Sequence, residues 1–302
     1  MNFVPIAFVI EVQQSIEVTK YLEDHVTELS SSTWGQMWHD YCMKLCSFTL
    51  QCLDSTSMEL FQGVPARFRV VNQLIFDQDS MRDRYSRQNE TFKPMEPHSV
   101  VLFVKEALKS LNVRSEKAMI KIGDVSNWPF ASVLKAIPNL HKFCFKICIS
   151  VISNDSLIFL EKVASFAQVK EVIFWNETVP SCFNNRFFTL VAILLCQERL
   201  RTCRFDKTKL PAAVFEQIFA VWLANPTHFG DKTIVAKMGR VDVMTYMKGY
   251  SLTQYGRSHP SRLQCCYISS YNTGLNTLKF RTSLKSVPEE DLKYLVTDEF
   301  VY

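Results

Sequence analysis

The residues best placed by type to do chemistry lie near the start of the chain: His39, Cys42, Cys46 and Cys52. Imidazole and thiolate are the ligands zinc prefers, and a structural site needs four that converge. On a helix, His39, Cys42 and Cys46 share one face. The tight Cys-x-x-Cys turn of most zinc sites is missing, and the neighbours are apolar. Core packing is therefore the expected role of these cysteines, with no metal and no cofactor.

The chain has 10 cysteines and 6 histidines, so a Cys/His nucleophile pair could in principle assemble. No local signature selects one. His25, His98, His228 and His259 sit in polar or turn contexts. Most cysteines sit among apolar residues, as in Phe143-Cys144-Phe145 and Leu194-Leu195-Cys196, where they act as small hydrophobes. No glycine-rich phosphate loop, no Gly-x-Ser-x-Gly elbow and no His-Glu-x-x-His motif occurs. No catalytic residue is assigned, although an enzyme of unrecognised type stays open as an alternative.

The elements that would position any site show more. Val4, Phe8, Val9, Val12 and Ile16 recur at helical spacing. Ser30 to Thr33 is a turn and cap cluster. Trp34, Met37, Trp38, Tyr41, Cys42, Leu45 and Phe48 then mark a second helix. Residues 1–56 read as a helical segment. Residues 57–111 read as an irregular connector, with a partial strand between Phe61 and Phe76, a polar exposed loop over 77–97 and a helix opened by Ser99.

Residues 112–237 carry a repeating pattern. Leu140-x-x-Phe143-x-Phe145, Val169-x-x-Val172-x-Phe174 and Leu200-x-x-Cys203-x-Phe205 share one apolar spacing, and Ile120-x-Ile122 precedes them. Thr233 to Lys237 is a fifth candidate strand. Helix signals follow each strand, at Asn127 and Pro129, at Ser153 or Asn154, at Asn184 and at Pro211. Pro226 stops the last helix. Strand–helix units recurring every ~20–30 residues are the mark of a leucine-rich-repeat-like solenoid. A single unit cannot cover its own apolar strand face, and stacked units share one core. The expected fold class is thus α/β, an irregular solenoid of strand–helix units. An ordinary α/β sheet or an α+β fold would also alternate in this way. Residues 238–302 break the period. Cys265 to Tyr271 and Thr277 to Phe280 could be strands in a capping segment.

Composition bounds the function. Hydrophobic residues make up 47% of 302 residues, which is too apolar for disorder. A net charge of +4 is too small for a nucleic-acid footprint, so no such partner is expected. The basic stretches Lys142–Lys146 and Arg199–Lys209 alternate with apolar residues and read as solvated strand faces. No apolar run is long enough to span a membrane. Met1 to Val12 lacks a basic leader region. The expected location is cytoplasmic or nuclear. Phe174, Trp175 and Trp222 are expected in the core.

Val4-Pro5, followed by Phe8, Val9, Val12 and Ile16, with Trp34 or Trp38 on a later helix, resembles a degenerate F-box. With Thr33-Trp34-Gly35 and the Phe-rich repeats, the chain is similar to nematode-expanded families that join F-box-like N-termini to leucine-rich-repeat-like regions. The resemblance implies a non-catalytic interaction scaffold, a substrate receptor of a cullin-type ubiquitin ligase. Pro5, Phe8, Val9 and Val12 would then bind the ligase adaptor, and the strand face an unknown target protein. A divergent repeat protein without adaptor binding is the further alternative.

Overall fold

A strand such as Met119–Ile122 turns alternate side chains to opposite faces, so Ile120 and Ile122 need cover on one side only. Neighbouring strands in register supply it. The computed structural model describes residues 44, 46–77, 95–111, 118–123, 125, 130–143, 145–166, 168–175, 179–237, 255–258, 265–270 and 276–281. Their strands form one sheet: β1 (Cys46–Gln51), β2 (Arg69–Phe76), β3 (Met119–Ile122), β4 (Lys146–Ile149), β5 (Glu171–Phe174), β6 (Thr202–Lys209), β7 (Lys232–Lys237), β8 (Tyr255–Ser258), β9 (Cys265–Ser270) and β10 (Asn276–Arg281).

From β1 to β7 the strands lie side by side in chain order and every pairing is parallel. β10, β9 and β8 then extend the sheet antiparallel from β7. The fold is α/β with a mostly parallel sheet.

Parallel neighbours need a crossover, and helices supply it. They are α1 (Ser55–Gly63), α2 (Pro97–Lys109), α3 (Phe130–Ala136), α4 (Asn154–Phe166), α5 (Asn184–Leu195), α6 (Ala212–Ala224) and the single turn α7 (Pro226–Phe229). Crossovers of one hand between strands in chain order place successive helices on the same face.

Register aligns a buried row across the sheet. Leu50, Leu74, Ile120, Ile147, Val172, Cys203, Ile234 and Leu278 pair in succession. All are at most 1% exposed. Phe76, Ile122, Ile149, Phe174 and Phe205 form a second row two residues on. Aromatic rings fill the space beneath: Phe174 stacks on Phe205 at 4.9 Å and meets Phe187 of α5 edge-on at 5.1 Å.

The helix starts follow local chemistry. Ser153 Oγ accepts from the Ser156 N–H to cap α4. Asp54 does the same for α1 through the Thr56 N–H. Pro211 precedes α6, and Asn225-Pro226 separates α6 from α7.

Several sequence expectations need correction. Residues 1–56 are not helical throughout, because Cys46–Gln51 is the edge strand β1 and α1 begins at Ser55. Phe48 and Leu50 fit strand alternation as well as helical spacing, and pairing with β2 decides between them. The connector 57–111 is less irregular than expected, since α1, β2 and α2 continue the same strand–helix order as the later units. The helix there starts at Pro97 rather than at Ser99. The strand expected around Phe143 lies at Lys146–Ile149, and Leu140–Phe143 is a short 3-10 turn. Two overlapping apolar alternations compete in this stretch. The one chosen lets Ile147 pair with both Ile120 and Val172. Asp77, at the head of the expected exposed loop, is buried, and residues 78–94 lie outside the described residues.

Candidate interaction face

The buried rows use only one set of alternate positions. The other set points away from the helices: Met119 and Lys121, Lys146 and Cys148, Glu171 and Ile173, Thr202 and Arg204, Thr233 and Val235. Ile75 and Cys148, buried apolar side chains of this second face, lie outside the main core cluster to which the helices contribute. Among the described residues, no helix is assigned to this face.

Charge on the face is paired across neighbouring strands and, in β6, along one strand. Lys121 Nζ lies 2.9 Å from Asp77 Oδ2, and Lys146 Nζ lies 3.0 Å from Glu171 Oε1. Arg204 Nε donates to Asp206 Oδ1 at 2.7 Å. Of the two basic stretches, Lys146 and Arg204 lie on this strand face beside counterions. Gly123 gives the Asp77 carboxyl its room, because a Cβ there would land on it.

Trp175 follows β5 directly, on the same side as Glu171 and Ile173. It is 53% exposed, and Lys121 Nζ sits 6.0 Å from its ring centroid. This overturns the expectation that Trp175 is buried with Phe174 and Trp222, which are 0% and 1% exposed. Period-2 alternation carries the signal: if Phe174 faces inward, Trp175 must face outward.

Three of the described thiols are poor nucleophiles. Cys148, on this face, is 4% exposed. Burial pushes its pKa up, and Lys121, Ser150 and Lys146 pull the other way. Cys52 and Cys203 are fully enclosed on the core face, and burial raises both strongly. A protonated, enclosed thiol is neither a nucleophile nor a ready metal ligand.

The candidate zinc set divides. Cys46 opens β1 and Cys52 follows it, so helical spacing does not extend to Cys46. His39 and Cys42 lie outside the described residues, as do Trp34 and Trp38. Among the described residues, no group of three His, Cys, Asp or Glu side chains is arranged to hold a metal ion. The proposed adaptor contacts Pro5, Phe8, Val9 and Val12 also lie outside the described residues.

Of the histidines, His98 is exposed in the first turn of α2, and exposed His228 has Nδ1 3.5 Å from Glu198 Oε2. His141 is buried against Phe166, with ring centroids 5.2 Å apart. Burial, with Lys142 and Lys162 nearby, lowers its pKa.

A second concavity, about 630 Å³ in volume, opens where β6 and β7 begin and β10 ends. Among the described residues, no helix is long and apolar enough to cross a membrane. No protein-family model, no curated protein and no solved structure matches the chain.

Proposed function

We propose that the protein is a non-catalytic interaction scaffold that docks a partner protein on the second face of its sheet. The observation that carries this reading is Trp175, a large aromatic left half-exposed among neutralised charges on a broad sheet surface. Binding hot spots favour tryptophan, surrounded by polar groups that exclude water without dominating the energy. A face whose described carboxylates and amines are already paired has little general acid–base capacity, and burial keeps the Cys148 thiol protonated.

The finer architecture belongs to the same proposal. Seven parallel strands in chain order, each joined to the next through a helix, support an irregular leucine-rich-repeat-like solenoid. Extended binding surfaces are what stacked units provide. In its sharpest form the scaffold is a substrate receptor of a cullin-type ubiquitin ligase in the cytosol or nucleus. Pro5, Phe8, Val9 and Val12 would then contact the adaptor, and the sheet face the target.

Two measurements test the two halves separately. A photo-crosslinking residue placed at Trp175 should trap a protein partner in cells, while the same residue at exposed Ile193 on α5 should not. Equal crosslinking at both positions, or none at Trp175, overturns the docking face. Co-purification with the ligase adaptor should be lost in a Pro5→Ala, Phe8→Ala double variant. An adaptor that never co-purifies with the wild-type chain removes the ligase role.

A further inference from the structure

We propose that the concavity at the junction of β6, β7 and β10 is a binding site for a phosphate group carried by a small ligand. It lies where the sheet changes from parallel to antiparallel pairing, away from Trp175. Thr202 and Thr233 belong to both the second face and this cavity, but the proposal is argued from the cavity's own cations and does not rest on the docking role.

Its cations come from different strands. Arg281 ends β10, and its Nε is buried with no hydrogen-bond partner. The nearest carboxylate does not complete it: Arg281 Nη1 is 3.9 Å from Asp231 Oδ2, beyond hydrogen-bond length. The side chain as a whole is 25% exposed, so its outer guanidinium nitrogens, rather than the enclosed Nε, are the donors that an oxyanion in the cavity can reach. Arg201 faces it from the start of β6. Its Nη1 touches only the Asp231 carbonyl, at 3.4 Å, a weak contact that leaves its other donors available.

Gly230 makes room for this arrangement. Its φ of 70° favours glycine, and a Cβ would stand 2.9 Å from Arg201 Nη1. Thr202, Thr227 and Thr233 also line the cavity, and a threonine hydroxyl can donate to a further oxygen.

Two carboxylates line the cavity and offset part of its positive charge: Glu198 lies 3.5 Å from His228, and Asp231 pairs loosely with Arg281 at 3.9 Å. Arg201, Arg281 and the Lys232 ammonium together outnumber them. Lys232 itself is committed to the Gln197 and Leu200 carbonyls, so it adds charge rather than a contact. Planar guanidinium forks match phosphate oxygens bidentately, and several hydroxyls around them suit a tetrahedral group better than a flat carboxylate.

Isothermal titration of the full chain with inorganic phosphate, and separately with acetate, tests the assignment. Phosphate should bind with a dissociation constant of about 1 mM or tighter, and acetate more weakly. Arg281→Gln and Arg201→Gln, on different strands, should each weaken phosphate by about tenfold or more, the worth of a charge-assisted hydrogen bond. Lys279→Gln removes the same charge from β10 outside the cavity and should change binding less than about twofold. Thermal melting shows whether each variant is folded, and Arg201, being exposed, keeps the test open if Arg281→Gln unfolds. The proposal is overturned if wild-type chain does not bind phosphate, if acetate binds equally well, or if Lys279→Gln weakens binding as much as the arginine variants.

Discussion

At the scale of single residues, two positions carry most of the local tension. Gly123 is held free of a side chain by the Asp77 carboxyl behind it. Gly123→Ala should cost about 1–3 kcal/mol by overpacking, read from urea unfolding. In an Asp77→Ala background the obstacle is gone, and the same substitution should cost less than about 1 kcal/mol. This non-additivity is expected for residues in direct contact.

Lys232 is the other. It is 2% exposed, lies 4.5 Å from the Phe229 ring centroid and donates to two carbonyls just beyond α5. Burial first, and Arg201 next, depress its pKa to about 8. Below that pH both folded and unfolded chains hold the proton, and the folded state bears the cost. Between about pH 8 and pH 10.4 the unfolded chain holds more protons, so this group makes stability rise with pH. Comparing urea unfolding of wild type and Lys232→Met at pH 7 and pH 10 isolates the effect. The wild type should gain on the variant by up to about 3 kcal/mol across that range. At pH 7 a Lys232→Ala variant should lose about 2 kcal/mol or more, since two buried carbonyls lose their donor.

At the scale of elements, pairing decides what spacing leaves ambiguous. Helices α3 to α6 were legible because their signals are local: a polar cap or a proline, then apolar residues every three or four positions. Ser153 and Pro211 act within their own turn, so the sequence contains the whole cause. Strands are different. Leu140-x-x-Phe143-x-Phe145 and the true strand Lys146–Ile149 have equally good apolar content, and only the rows on either side select between them. The choice is testable. Ile147→Ala, at 0% exposed and central to its row, should cost about 2–5 kcal/mol, while Phe145→Ala, only half-buried before the strand, should cost clearly less. A reversed order would place the strand four residues earlier. At Trp175 the period-2 alternation with buried Phe174 outweighs the side chain's apolar character and turns it outward. Phe205→Ala, by contrast, removes a fully buried ring stacked on Phe174 and should cost about 3–5 kcal/mol.

At the scale of the whole molecule, each strand–helix unit contacts mainly its neighbours, and stability should be distributed accordingly. Native-state hydrogen exchange should find the strongest protection in β4 to β6, flanked on both sides, and weaker protection in β1, the described edge. Uniform protection from β1 to β7 would instead point to one cooperative block. The antiparallel end is joined to the parallel run through Phe280, whose ring lies 5.0 Å from Phe229, 5.5 Å from Trp222 and 5.6 Å from Phe219. That cluster covers the apolar edge that β7 would otherwise leave open.

The sequence by itself determined the α/β class, the alternation of strands and helices through 112–237, and the Ser153 and Pro211 signals that start α4 and α6. All of these follow from side-chain period and from bonds between residues a few positions apart. Only the tertiary structure decided that β1 and β2 join the same sheet, which four residues of 140–149 pair, that Trp175 faces outward, and that Arg201 and Arg281 meet across one cavity. Each of those depends on partners dozens of residues away. The strand that wins is the one whose neighbours bury it, and that competition is settled between segments rather than within any one of them.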